Sequence, residues 1–315
     1  MISHVVVETR RLIAPMISVV AVIVSLAPIE SGAQVRGVYP LGMSATSSGV
    51  TPDPGLTYTN MFLFYSRDRL TDPSGDTVVR GANSVLMDMN TVAWVSEKQI
   101  LGSARFSFSA TLPLANNSLS SDLTGPINGG GGFGDSFYQP AILGWRMKSA
   151  SIRFAYGFLA PTGRFEAGAT DNVGSGYWTH VVSSGQTFVV GASRATIVSA
   201  FQMYEFHGAQ SGTGTRPGEA FNLDYSVMRA LATGENVQVQ VGVVGYSQRQ
   251  TSAKSGPTVT PAEAAARYKV DALGVASIVT WPERNVSLGF KYFDELSTES
   301  TFEGYSVQIS LSVAL

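Results

Sequence analysis

Beyond residue 54, apolar side chains recur at every second position over most of the chain. The last segment is the clearest case. Tyr305, Val307, Ile309, Leu311, Val313 and Leu315 fall on one face, and Ser306, Gln308, Ser310, Ser312 and Ala314 on the other. Successive side chains of a strand point to opposite faces, so this period of two predicts a strand with different media on its two sides. The same alternation sets Phe106, Phe108, Ala110 and Leu112 against Arg105, Ser107, Ser109 and Thr111. It sets Phe154, Tyr156 and Phe158 against Arg153, Ala155 and Gly157, and Leu223, Tyr225 and Val227 against Asn222, Asp224 and Ser226. Val239, Val241 and Val243 oppose Gln238, Gln240 and Gly242, and Leu288, Phe290 and Tyr292 oppose Ser287, Gly289 and Lys291. Strands are expected at 55–66, 83–95, 103–115, 136–147, 151–160, 176–190, 194–207, 220–231, 235–248, 267–281, 284–294 and 303–315, about twelve in all.

The connections carry a second pattern. Long polar stretches at 67–82, 116–135, 161–175, 208–219, 249–266 and 295–302 alternate with short ones at 96–102, 148–150, 191–193, 232–234 and 282–283. Bacterial outer-membrane barrels have an even number of strands, long extracellular loops and short periplasmic turns. A soluble sandwich has no reason to keep that strict alternation. The expected fold is therefore all-β: a closed antiparallel transmembrane β-barrel of up-and-down topology. Trp94, Trp145 and Trp281 precede short turns and Trp178 lies towards the other rim, which suits the preference of indole rings for membrane interfaces.

Composition agrees. Charged residues are 14% of the chain, against roughly 25% in ordinary soluble domains, and mean hydropathy is +0.12. Past the N-terminus there is no apolar run of the roughly 20 residues that a membrane helix needs. The net charge of −2 and the lack of a basic stripe exclude a nucleic-acid partner. With no cysteine there is no disulfide, thiolate metal site or cysteine nucleophile. Arg10 and Arg11, the apolar run from Leu12 to Ile29 and the small residues Ser31, Gly32 and Ala33 read as a secretory signal over 1–33, cleaved before Gln34. Residues 34–54 form a periplasmic N-terminal segment that could fill the lumen as a plug, and 55–315 form the barrel. Outer-membrane lipid and the barrel-assembly machinery are the expected partners. Leu315 stands where barrels usually carry the aromatic residue that this machinery reads.

Little in the sequence points to bond-making chemistry. Gly129 to Gly134 formally contains G-x-G-x-x-G, but a polar loop precedes it and a strand follows, the wrong setting for a nucleotide site. It reads as a loop tip entering a strand. His180 and His207 lie at no metal-ligand spacing with carboxylates, so neither a metal nor a cofactor is expected. His180 beside Ser183 and Ser184 keeps open a lipid hydrolase or deacylase; an adhesion barrel without transport is the third class. Lumen positions expected to meet a passing solute are Asp88, Arg105, Arg153, His180, Asp224, Lys269, Asp271 and Lys291, with Asn90, Asn222, Gln238, Gln240 and Gln308 beside them. Interior charges of both signs also serve to pair neighbouring strands.

Several segments carry a family resemblance. They are Pro52-Asp53-Pro54-Gly55-Leu56-Thr57-Tyr58, running on to Phe64-Tyr65-Ser66-Arg67-Asp68-Arg69-Leu70, then Phe133-Gly134-Asp135 and Ala160-Pro161-Thr162-Gly163-Arg164-Phe165. Asn172-Val173-Gly174-Ser175-Gly176-Tyr177-Trp178-Thr179-His180, Arg216-Pro217-Gly218-Glu219 and Val243-Val244-Gly245-Tyr246-Ser247-Gln248-Arg249-Gln250 follow in order. Through these the mature chain resembles the outer-membrane transporter family of the meta-pathway of phenol degradation. The resemblance implies facilitated passage of small hydrophobic or aromatic molecules and brings no catalytic residues. Pro161, Gly163, Arg164 and Trp178 mark the region expected to select the solute.

Overall fold

The computed structural model describes residues 37–121 and 125–315; the expected signal over 1–33 lies outside them. The wall runs β1 (Gly55–Thr71), β2 (Thr77–Ile100), β3 (Ala104–Ser121), β4 (Gly125–Phe133), β5 (Ser136–Arg146), β6 (Ala150–Ala160), β7 (Thr179–Val190), β8 (Thr196–His207), β9 (Ala220–Thr233), β10 (Gln238–Gln250), β11 (Lys269–Trp281), β12 (Val286–Glu299) and β13 (Phe302–Ala314). One turn of helix, α1 (Pro261–Ala265), lies between β10 and β11. All pairings are antiparallel between sequence neighbours, and β1 closes on β13 from Thr57↔Ala314 to Leu70↔Phe302. β4 and β5 both pair with β3, through Leu114↔Phe133 and Thr111↔Phe137. They form one wall strand interrupted at Gly134 and Asp135. The wall is thus a closed up-and-down barrel of twelve strands, as the alternation predicts. Closure leaves no edge strand to recruit another chain.

The two faces follow from the period of two. Phe154, Val227 and Val275 are 52%, 53% and 54% exposed, and with Phe62, Leu86, Leu112, Leu288 and Ile309 they form an outward apolar band. Contiguous apolar surface on this scale suits a lipid-facing wall. The inward positions between them, such as Ser107, Asn222, Asp224, Lys291 and Gln308, are buried.

Three connections differ from expectation. The stretch 67–82 is mostly strand, because β1 and β2 continue to a turn at 72–76. The polar residues there pair across the sheet: Arg69 bonds Glu303 at 2.7 Å. β12 and β13 likewise meet at 300–301 rather than through a loop over 295–302. The glycine run is not a loop tip either. Gly131 and Gly132 lie in β4, opposite Asn116 and Ala115 of β3.

Residues 37–51 enter the barrel, and Pro52 to Pro54 are exposed. Tyr39, Leu41 and Ala45 pack with inward residues Val181, Phe201, Met228, Val244, Tyr246 and Phe293 in one buried cluster. Tight turns let the segment fit. Gly42 has φ +78, and a Cβ there would stand 2.5 Å from the Phe293 ring, so only glycine serves. On the wall, a Cβ at Gly185 would come within 2.0 Å of the Ser48 carbonyl oxygen.

Candidate functional site

The inner wall supplies hydrogen-bond partners for the backbone of residues 37–51. From β8, Glu205 accepts the N–H of Val38 (2.7 Å) and of Tyr39 (3.2 Å). From β9, Asp224 accepts the Tyr39 hydroxyl at 2.5 Å and the N–H groups of Gly42 and Ser44 at 3.1 Å each. From β12, Lys291 Nζ donates to the carbonyls of Gly42 (2.9 Å) and Met43 (2.6 Å). From β13, Gln308 donates to the Leu41 carbonyl at 2.8 Å. Lower down, Thr187 Oγ1 accepts from Gly49 N–H at 3.0 Å, and Arg146 donates to the Thr51 carbonyl at 2.8 Å. A non-helical peptide inside a barrel would otherwise bury unsatisfied amides. Here buried side chains of β8, β9, β12 and β13 satisfy most of them, and Thr187 of β7 and the half-exposed Arg146 of β5 complete the set. Burial first, and the charge of Asp224 second, push the Tyr39 hydroxyl well above the ordinary phenol range, so it remains a donor near neutral pH.

Behind this contact lies a polar relay. Asn222 donates to Glu205 (2.7 Å) and Gln248 donates to Asn222 (2.6 Å). His207 Nε2 stands 3.4 Å from Glu205, and its Nδ1 lies 2.9 Å from Thr179 Oγ1. A hydroxyl, an imidazole and a carboxylate thus stand in line, but all three are buried and the carboxylate holds the segment.

On the segment stands a cavity of about 240 Å³. Its apolar lining includes Met43 of the segment, Met87 and Met89 of β2, Phe137 of β5, Val181 of β7 and Met203 of β8. Its polar end is the β4–β5 break and the connection after β6. There Asp135 accepts the N–H of Gly163 (2.9 Å), the N–H of Ser175 (2.7 Å) and the Ser175 hydroxyl (2.6 Å).

The model of the family described as "Putative MetA-pathway of phenol degradation" matches residues 67–311. The chain belongs to this phenol-degradation family. No curated protein sequence matches it. Among solved structures, an outer membrane channel from Pseudomonas putida F1 is similar with a TM-score of 0.72 at 12% identity, covering 86% of this chain and 98% of that one. At that identity the likeness is one of fold, and the fold is that of an outer-membrane barrel. The β domain of the Bordetella autotransporter BrkA has a TM-score of 0.49 at 10% identity, with 84% of this chain and 100% of that one covered.

In this phenol-degradation family member, the residues expected in the lumen divide into two groups. Asp224 and Lys291 come together around the segment, with Asn222 and Gln308. Arg105 and Arg153 also lie on the inward face, in register with Gly144 from either side. Gln238 and Gln240 share the inward face of β10 with the buried Val244 and Tyr246.

Five of the expected lumen residues, Asp88, Asn90, His180, Lys269 and Asp271, face outwards instead. Asp88 shares its face with Leu86 and lies opposite Phe62. There Asn60 (2.5 Å) and Asn90 (3.3 Å) donate to it, and Tyr58 bonds Asn90 at 2.6 Å. Lys269 and Asp271 share the outward face of β11 with Leu273, in an ion cluster with Glu299 and Arg249. His180 is outward too, stacked on Tyr156 with its Nδ1 2.8 Å from the Tyr156 hydroxyl. Of the loop positions, Gly163 binds Asp135 and Arg164 binds Asp171 at 3.1 Å. Pro161 opens that connection, and Trp178 is half-exposed against Phe158 on the outer face. The polarity of the alternation missed Glu205, Asp135 and the methionines. Glu205 stands in a strand rich in aromatic residues, Asp135 in a stretch read as loop, and methionine gives no polar signal.

Proposed function

We propose that this barrel passes small apolar molecules, aromatic ones above all, across the outer membrane by facilitated diffusion, with residues 37–51 closing the lumen at rest. The observation that carries the reading is the methionine-lined cavity standing on a segment held by buried wall side chains. An ion pore needs a continuous polar path, whereas this lumen offers an apolar chamber above a stopper. Membership of the phenol-degradation family supports the same solute class. The hydrolase alternative loses support from geometry: the His180 Nδ1 is engaged with the Tyr156 hydroxyl, and Ser184 donates to Gln202 at 2.8 Å rather than to an imidazole.

The test is entry of phenol and of a sugar into vesicles with a lipopolysaccharide outer leaflet, which slows unassisted crossing. Phenol entry several-fold above that of empty vesicles is expected, with sugar entry at background, and removal of residues 37–49 should raise both. A folded, heat-modifiable barrel that admits no phenol above background, with or without the segment, would overturn the reading.

A further inference from the structure

We infer that the methionine-lined cavity is a binding site for one neutral aromatic molecule of one or two rings that carries a hydrogen-bond donor. The inference rests on the proposed passage of small apolar solutes and names what that passage selects.

Size comes first. The cavity measures about 240 Å³, and an engineered apolar cavity of roughly 150 Å³ holds a benzene molecule. One ring fits with room for substituents, or two fused rings fit closely. A lining dominated by thioethers and rings favours such a compact apolar occupant over a sugar.

The lining comes second. Met43, Met87, Met89 and Met203 approach from the segment, β2 and β8, so thioethers meet an occupant from different sides. Methionine sulfur makes favourable contacts with aromatic rings, and its unbranched chain adapts to their outline. Phe137 adds a ring of its own.

The polar end decides charge. The donors that Asp135 accepts, the Gly163 N–H, the Ser175 N–H and the Ser175 hydroxyl, are all neutral. A carboxylate has acceptor capacity for about four hydrogen bonds, so room remains for an O–H or N–H of a ligand. The same negative charge, weakly screened inside the barrel, repels an anion. Phenols should therefore bind, benzoate-like anions should be refused, and benzene should bind more weakly than phenol.

The experiment is equilibrium dialysis of radiolabelled phenol, benzoate and benzene against the full barrel in lipid nanodiscs at pH 7, with empty nanodiscs subtracted. Expected is saturable binding of one phenol per barrel, with benzoate at least tenfold weaker. Ala115→Phe, which projects a ring into the cavity from β3, should abolish saturable binding. Met203→Leu, which keeps volume but removes a sulfur, should weaken phenol several-fold in a barrel that still folds. Benzoate binding as tightly as phenol, or Ala115→Phe and Met203→Leu both leaving phenol binding unchanged, would overturn the assignment. Saturable binding without entry into vesicles would retain the site and remove the passage; entry without saturable binding would do the reverse.

Discussion

At the scale of single residues, Asp224 and Lys291 concentrate the interaction between wall and segment. Their charges are buried, and each is satisfied mainly by peptide groups rather than by the other. Removing one member of a buried charged network costs roughly 3–5 kcal/mol, because it strands its partners. In Asp224→Ala, the Tyr39 hydroxyl, two amides and the Lys291 charge all lose compensation. The loss falls on the segment, since the strand ladders are untouched. Single-channel recordings of Asp224→Ala should show higher and noisier conductance than the parent, with unchanged heat-modifiable migration on gels. Identical recordings would mean that this segment does not close the lumen. Sequence alternation pointed to Asp224, Lys291, Asn222 and Gln308 because an inward position flanked by outward Phe, Leu or Val is unambiguous. It pointed the wrong way at Asp88, Lys269 and Asp271, where polar groups on the outer wall compensate one another.

At the scale of elements, β13 was readable along its whole length and β2 was not. In β2 the inward positions Val85, Met87 and Met89 are apolar because they line a cavity, so a polar lumen was the wrong assumption there. The interruption between β4 and β5 was equally hidden. Gly134 and Asp135 read as loop, yet the break turns the Asp135 carboxylate onto the connection after β6 and fixes that connection by three hydrogen bonds. Asp135→Ala should release it. Amide hydrogen exchange at Gly163 and Ser175 should speed up by at least tenfold while exchange in β9 and β10 stays unchanged. Equal protection in the variant would show that other contacts hold the connection.

At the scale of the whole molecule, a closed ring of antiparallel pairs sets an apolar band between two rims. Trp94, opposite Leu56, and Trp145, whose Nε1 donates to the Leu101 carbonyl, mark the rim of short turns. Trp281 adjoins the turn at Pro282–Arg284 on the same rim, and Trp178 lies by the long connections. Indole rings settle at headgroup level. In oriented vesicles, single-tryptophan variants should therefore divide: aqueous iodide added outside should quench Trp178, and iodide trapped inside should quench Trp94, Trp145 and Trp281. Quenching of all four from one side would contradict the assignment of the rims.

The wall grips the segment chiefly by its peptide groups, the N–H of Val38, Tyr39, Gly42, Ser44 and Gly49 and the carbonyls of Leu41, Gly42, Met43 and Thr51. The hydrogen-bonded part of this grip does not depend on the segment's side chains, apart from the Tyr39 hydroxyl. Tyr39, Leu41, Gly42, Ala45 and Gly49 are fixed by packing against the wall, so only the remaining positions of the stopper are free to drift in sequence, while the carboxylates, amine and amides that read its backbone are not. A short synthetic peptide that keeps those packed positions and bends could then compete for the same berth, which makes this lumen a place where an added molecule could hold the passage shut.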